Sequence, residues 1–167
     1  MTSVDPHGLE RALRDSSPAL LAYFERRASD RADAADMLGE LMLQAWRRTA
    51  ALPDEPERQR MWLFTIARHV LANHRRSARN RHALVEKVRA VLHSLGDEPD
   101  IGAAADVRDA VLRLPEHQRE LVMLVHWDRF TIVEAAELMG TNPSTARSRY
   151  AAARIMLREA LGETTGS

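Results

Sequence analysis

Residues 131–161 read TIVEAAELMGTNPSTARSRYAAARIMLREAL, and this stretch decides the fold of the C-terminal half of the chain. Thr131 precedes Glu134 by three residues, which is the spacing of a capping box. In that motif each side chain bonds a free backbone amide at the start of a helix. Gly140 stands where the first helix should end, because glycine enters the left-handed conformation of a helix C-terminus without a steric penalty. The pattern predicts two helices joined by a tight turn.

The second of these helices is expected to carry the positive charge. Asn142 is a favourable N-cap, and Pro143 suits the first helical position, where a missing amide loses no hydrogen bond. Residues 143–158 then contain four arginines and no acid. Spacing of four, three and four residues predicts an inward face made of Ala146, Tyr150, Ala153 and Leu157. The stretch therefore predicts a helix-turn-helix that binds nucleic acid.

Charge is segregated along the chain although the total is balanced. The 167 residues include 24 basic and 24 acidic side chains. Residues 58–85 contain seven arginines and no acid, whereas residues 106–140 contain four basic and seven acidic residues. Because local fields steer a polyanion more than net charge does, two basic helical stretches are the expected contact surfaces.

Composition excludes several classes of protein. There is no cysteine, so a disulfide framework and a thiolate metal site are excluded. No apolar run has the length of a membrane span, and the N-terminus does not have the pattern of a signal peptide. A cytoplasmic protein is therefore expected. Histidines are scattered, and no glycine-rich phosphate loop or nucleophile elbow is present, so we expect no enzyme activity, no cofactor and no metal.

The N-terminal half shows helical periodicity from Pro18 onward. Residues 3–17 are polar and contain Pro6, so this segment is expected to be frayed. A second helix is predicted over 32–48, with Asp33 and Asp36 in its first turn. Prolines among acids predict a loop over 50–60, and a third long helix is predicted over 61–79.

No run of alternating β-branched residues is present, so the fold is predicted to be all-α. Residues 18–79 form one small helical domain in this prediction. Residues 80–105 form a linker with a partly helical start, interrupted by glycine and proline near residue 96. Residues 106–162 form a second helical domain that ends in the helix-turn-helix.

Both halves together resemble an extracytoplasmic-function (ECF) RNA polymerase sigma factor. The C-terminal half resembles domain four of that family. It has the Leu-Pro and Gln-Arg pairs that precede the helix-turn-helix, and the terminal arginine pattern that ends it. The matching residues are Leu114-Pro115, Gln118-Arg119, Glu134-Ala135-Ala136, Gly140, Ser144-Thr145, Arg149, Ala153-Arg154 and Leu157. The N-terminal half resembles domain two through Asp33-Ala34-Ala35-Asp36, Ala45-Trp46-Arg47 and Trp62-Leu63-Phe64-Thr65-Ile66-Ala67-Arg68. The two segments in this order are far more specific than a lone helix-turn-helix.

The resemblance implies a subunit that binds the clamp and flap of core RNA polymerase and directs it to promoter DNA. It implies that the −35 element is read by Ser144, Thr145, Arg147, Ser148, Arg149 and Arg154. It implies contacts to the −10 element from Trp62, Arg68, His69, Asn73, Arg75, Arg76 and Arg79. It implies a polymerase-binding helix that carries Asp33, Asp36, Glu40 and Gln44. An anti-sigma factor is expected as a further partner.

Some residues have a structural alternative or depart from the family pattern. Trp62 is interpreted mainly as a core residue, because Leu63 and Ile66 accompany it, and Trp46 and Trp127 are interpreted in the same way. Three positions depart from the usual family residues, namely Gly39, His69 and Asn73.

Two other functions stay open at this point. One is an autonomous helix-turn-helix regulator that does not melt DNA. The other is a degenerate sigma-like protein that acts mainly through protein binding, for which the three departures leave room.

Overall fold

The computed structural model describes residues 6–89 and 103–164, and every regular element in these two ranges is helical. Seven α-helices follow in chain order, with a short 3-10 helix at Thr49–Ala51 between the second and third. They are α1 (Pro6–Glu25), α2 (Arg31–Arg47), α3 (Pro56–Arg89), α4 (Ala103–Leu112), α5 (Glu116–His126), α6 (Ile132–Leu138) and α7 (Pro143–Thr164). The all-α prediction is confirmed. The described residues fall into two compact units, an N-terminal unit (6–89) and a C-terminal unit (103–164).

Three helices pack against one another in the N-terminal unit, and aromatic rings fill the centre of their core. Tyr23, Phe24 and Phe64 are fully buried. The Tyr23 ring meets the Phe64 ring edge-on, with centroids 5.4 Å apart, and meets the Phe24 ring in the same way at 5.5 Å. Edge-to-face pairs of this kind add stability beyond the buried area. They tie α1 to α3.

The first helix begins much earlier than the sequence indicates. The expectation of a frayed segment over residues 3–17 is wrong, because α1 starts at Pro6 and buries Leu9 and Leu13. Pro18 lies inside this helix. In the turn before it, the Ser17 hydroxyl donates to the carbonyl of Leu13. The apolar residues before Pro18 keep helical spacing, and their burial outweighs the local penalty of the proline.

The second helix agrees with its prediction to within one residue at each end. Asp30 is its N-cap, and the Asp30 side chain accepts a hydrogen bond from the amide of Asp33 at 2.8 Å. Asp33 lies in the first turn and Arg47 in the last, where each charge complements the helix dipole. Asp36 does not lie in the first turn, because α2 begins at Arg31 and Asp36 is five residues further along.

The third helix is longer than predicted at both ends. It begins at Pro56, so residues 56–60 belong to the helix and not to the predicted loop. Proline is favourable at the first helical position, which explains why Pro56 starts the helix rather than breaking it. Its inner face is the predicted one, since the buried residues include Leu63, Ile66, Ala67, Val70 and Leu71. The helix continues to Arg89, into the predicted linker. Residues 90–102 of that linker lie outside the described residues, and residues 103–105 belong to α4.

Four helices form the C-terminal unit, in which α7 contacts α4, α5 and α6. Val111, Leu114, Val122 and Ala153 make one buried cluster, against which Met123, Tyr150 and Leu157 pack. Two tryptophans interpreted from the sequence as core residues are instead exposed, Trp127 by 41% in this unit and Trp46 by 46% in the N-terminal unit. That interpretation is wrong because each stands at the end of its helix, beyond the packed face.

Candidate functional site

The helix-turn-helix forms as the sequence predicts, with its caps in place. The Thr131 hydroxyl accepts from the Glu134 amide at 3.2 Å, and the Thr131 amide donates to Glu134 Oε2 at 2.8 Å. Gly140 has φ 65°, which is the left-handed conformation predicted for it. The amide of Thr145 donates to Asn142 Oδ1 at 2.8 Å and thereby caps α7. These caps set the directions in which α6 ends and α7 begins.

The recognition helix α7 presents two distinct faces. Ala146 and Ala153 are fully buried, and Tyr150 and Leu157 are partly buried against the core, as their spacing predicts. The residues predicted to read DNA divide by exposure. Four are exposed, namely Ser144, Arg147, Ser148 and Arg154, and two are partly buried, namely Thr145 and Arg149. The first two turns of α7 thus present hydroxyls and guanidinium groups together, a combination able to hydrogen-bond base edges and phosphates.

A groove runs between α2 and α3 in the N-terminal unit, and we call it the α2/α3 groove. Its two adjoining sections are lined from the α2 side by Asp36, Met37, Glu40, Gln44, Arg47 and Arg48, and from the α3 side by His69, Val70, Ala72, Asn73, His74, Arg76, Ser77 and Arg81. The family resemblance implies contact with polymerase for Glu40 and Gln44, and contact with DNA for His69, Asn73 and Arg76. The fold brings the two sets together as walls of one groove.

The predicted −10 residues do not form a single surface. At about 100° per residue, His69, Asn73 and Arg76 lie within about 60° of one another on α3. Arg68, Arg75 and Arg79 lie within about 40° of one another, on a stripe roughly 100° away. The first set lines the groove, whereas the second set is absent from its lining.

Two of these α3 residues, Arg68 and Trp62, are less exposed than contact with DNA would require. Arg75 and Arg79 are exposed, but Arg68 is half-buried and its Nη1 atom is buried without a hydrogen-bond partner. Trp62 is also half-buried, so its exposure is intermediate between that of a core residue and that of a residue open to a DNA base. The exposed charge of this stripe therefore comes from Arg75 and Arg79.

Asp33 contributes to the fold as well as to the predicted polymerase surface. Its Oδ2 atom lies 3.5 Å from Nε2 of His74, which links α2 to α3, and both side chains are partly buried. Asp36 and Glu40 are exposed on α2, and Glu40 accepts a hydrogen bond from Gln44 Nε2 at 2.9 Å. Asp36 and Glu40 are therefore the carboxylates of this helix that remain open to a partner.

The structure also shows contacts that the sequence analysis missed. His126 at the end of α5 lies 2.7 Å from the hydroxyl of Tyr150 on α7, and their rings stack with centroids 5.8 Å apart. Asp128 is buried, and Arg129 beside it is exposed with φ 63°. Residues 24 positions apart give no periodic signal, so only the packing of α5 on α7 reveals the His126–Tyr150 contact.

Comparison with known proteins places both units in known families. The chain matches the family model of Sigma-70 region 2 over residues 13–81 and that of Sigma-70, region 4 over residues 104–157. It is 32% identical over 164 residues to the ECF RNA polymerase sigma factor SigL of Mycobacterium tuberculosis, covering 93% of this chain and 92% of SigL. The chain belongs to the ECF RNA polymerase sigma factors. Its function is that of a sigma factor in transcription initiation.

Solved structures agree with this membership. The sigma factor RpoE from Bartonella quintana, crystallised with the anti-sigma factor NepR, is 26% identical with a TM-score of 0.67, covering 92% of this chain and 96% of RpoE. CnrH, solved in complex with the cytosolic domain of CnrY, has a TM-score of 0.66 at 20% identity. The match covers 95% of this chain and 90% of CnrH, and it supports the fold alone. Within residues 6–89 and 103–164, no helix is long and apolar enough to cross a membrane.

Proposed function

We propose that this sigma factor divides promoter recognition between its two units and binds core RNA polymerase through the N-terminal one. Residues 18–79, with the helical residues that precede Pro18, bind the polymerase clamp and the −10 element. The segment between α3 and α4 acts as the tether, and residues 106–162 bind the −35 element and the polymerase flap. The observation that carries this proposal is the pairing of an outward basic face on α7, within a capped helix-turn-helix, with a second basic helix in the other unit.

The −35 element is assigned to the N-terminal turns of α7. In helix-turn-helix proteins the first residues of the second helix contact base edges in the major groove. Arg147 and Arg149 stand there, and arginine pairs with guanine through two parallel hydrogen bonds. Arg154 lies further along the helix and is exposed, which suits a backbone phosphate.

The α2/α3 groove is assigned to polymerase along its α2 wall and to the −10 element along its α3 wall. On the α2 side the carboxylates of Asp36 and Glu40 are followed by Arg47 and Arg48, while the α3 side carries Arg76 and Arg81. Arg75 and Arg79 lie outside the groove and are exposed, so they suit backbone phosphates of the same DNA. The groove therefore offers carboxylates to a basic surface of polymerase and arginines to DNA phosphates, which suits contact with both partners.

The protein acts as a binding subunit in the cytoplasm, not as an enzyme, and an anti-sigma factor is a further proposed partner. The Bartonella quintana relative was crystallised with such a factor, and that relative covers nearly the whole of this chain. An anti-sigma factor would have to cover surfaces that polymerase or DNA otherwise occupies. The exposed carboxylates of α2 and the arginines of α7 are such surfaces.

A reconstitution experiment tests the proposal. The full chain is combined with core polymerase, transcripts are initiated on genomic DNA, and their 5′ ends are sequenced. Start sites that share a −35 and a −10 element support the proposed function. Sequence-specific DNA binding without polymerase would favour an autonomous regulator instead. Polymerase binding without initiation would favour a protein that only titrates polymerase.

A further inference from the structure

The turn between α5 and α6 holds an arginine in an unfavourable backbone conformation. Asp128 and Phe130 are buried, at 4% and 2% exposure, while Arg129 between them is exposed. The amide of Asp128 donates to the carbonyl of Met123 at 3.1 Å, and the amide of Phe130 donates to that of Leu124 at 3.0 Å. Both neighbours of Arg129 are thus anchored to the last turn of α5, and the chain reverses at Arg129 with φ 63°.

Arg129 is the one non-glycine residue with positive φ in the part of the chain that the structure describes. The left-handed conformation places Cβ close to the following carbonyl oxygen, and glycine would enter it freely. Within that same part of the chain, the Arg129 side chain has no hydrogen bond or ion pair that would offset the strain. Backbone strain of this kind persists only where the surrounding structure enforces it, and it clusters at functional sites.

The position of Arg129 indicates which partner that is. It lies two residues before Thr131, the N-cap of α6, which is the first helix of the helix-turn-helix. In this motif the first helix crosses the DNA backbone while the second lies in the major groove. The backbone amide of Thr131 already donates to the carboxylate of Glu134. Because a carboxylate occupies this helix start, the Thr131 amide is not open to a phosphate, and any contact with the DNA backbone here depends on the Arg129 guanidinium.

We propose that Arg129 binds a backbone phosphate next to the −35 element, and that it occupies the left-handed conformation at the expense of stability. The inference rests on the proposed function, in which the C-terminal unit reads that element. The planar guanidinium can donate two hydrogen bonds to a phosphate. Because phosphate contacts position a protein without reading sequence, Arg129 contributes affinity and not base preference.

The variant R129G separates this role from a structural one, because it changes two readouts in opposite directions. The full chain, bound to core polymerase, is titrated with promoters obtained from the reconstitution experiment over a range of salt concentrations. R129G is expected to weaken promoter binding about three- to tenfold at ~0.1 M salt and to reduce the slope of log K against log salt by about 0.9. The thermal midpoint of the free chain is expected to rise by a few degrees, since glycine removes the strain.

Two controls make the result specific. R129K keeps the charge and the strained backbone, so its salt slope and thermal midpoint should match those of the wild type. R113A removes an equal charge from an exposed position just after α4, outside the helix-turn-helix, and should leave the slope unchanged. If R129G leaves both affinity and slope unchanged on promoters that the wild type selects, the phosphate contact is refuted.

A lower thermal midpoint for R129G would refute the claimed trade-off with stability. If the wild-type complex selects no −35 element, the proposed function fails first and this inference fails with it. Failure of the proposed function is distinguishable from failure of the Arg129 inference, because the first is seen with the wild-type complex before any variant is made.

Discussion

The N-terminal and C-terminal units present positive charge on their surfaces in different ways. In the C-terminal unit, the basic residues of α7 stand opposite a compact buried face, and the two acids of this helix, Glu159 and Glu163, come only after its last arginine. In the N-terminal unit, basic and acidic residues line the same α2/α3 groove. A surface of one charge suits one polyanion, whereas a groove with two charges suits two partners. The comparison supports the proposal that the N-terminal unit contacts both DNA and polymerase.

The largest expected effect tests whether the two units are energetically separate. Phe64→Ala removes a fully buried ring that packs edge-on against Tyr23, so the free energy of unfolding of the N-terminal unit should fall by about 3–5 kcal/mol. Hydrogen exchange measured residue by residue should show loss of protection in residues 6–89 alone. Equal loss of protection in α5 and α7 would show that the units unfold together.

The next effect concerns base recognition by α7. Arg149→Ala is expected to weaken binding to the −35 element by about 1–3 kcal/mol and to relax the preference at one base pair. Binding is measured with a panel of single-base variants of the selected promoter. Arg158→Ala removes a charge from an exposed position of the same helix and serves as the control. A uniform loss over all promoter variants, with a smaller salt slope, would make Arg149 a phosphate contact instead.

A smaller effect is expected from the carboxylates on the α2 side of the α2/α3 groove. Glu40→Ala should weaken the affinity for core polymerase by about 1 kcal/mol, because it removes one exposed charge from the proposed interface. The −35 preference should stay as in the wild type. Glu57→Ala removes an exposed acid from the first turn of α3, outside the groove, and is the matched control. If both variants weakened polymerase binding equally, the effect would come from net charge, and a polymerase contact at the α2/α3 groove would be refuted.

The smallest effect is expected at the contact between α5 and α7. Tyr150→Phe keeps the ring stacked on His126 but removes the 2.7 Å hydrogen bond. The free energy of unfolding of the C-terminal unit should fall by about 0.5–1 kcal/mol, the net worth of one exposed hydrogen bond. Chemical denaturation of the full chain, followed by near-ultraviolet signals, measures it. A loss above about 2 kcal/mol would mean that the hydroxyl has a larger role than the structure shows.

Several features of this protein are determined by short stretches of sequence. The capping box, the left-handed turn and the start of α7 are predictable from spacing alone. The reason is that the capping contacts of Thr131, Gly140 and Asn142 are with residues a few positions away in the chain. The inward face of α7 follows from helical periodicity for the same reason. Prediction fails where a local rule allows two interpretations. Pro18 is interpreted as the point where helix begins and Pro56 as part of a loop, yet burial of the residues before Pro18 places it inside α1, and the first-position preference of proline lets Pro56 start α3.

What tertiary structure decided is which distant residues share a surface. The motifs of α2 and α3 are read separately along the chain, and only the packing of these helices makes Glu40 and Asn73 walls of one groove. The same packing pairs Asp33 with His74, and that of the other unit pairs His126 with Tyr150. The strained turn at Arg129 exists because Asp128 and Phe130 are buried on either side of it. Such contacts depend on the positions of whole helices, and no periodicity within one helix encodes them.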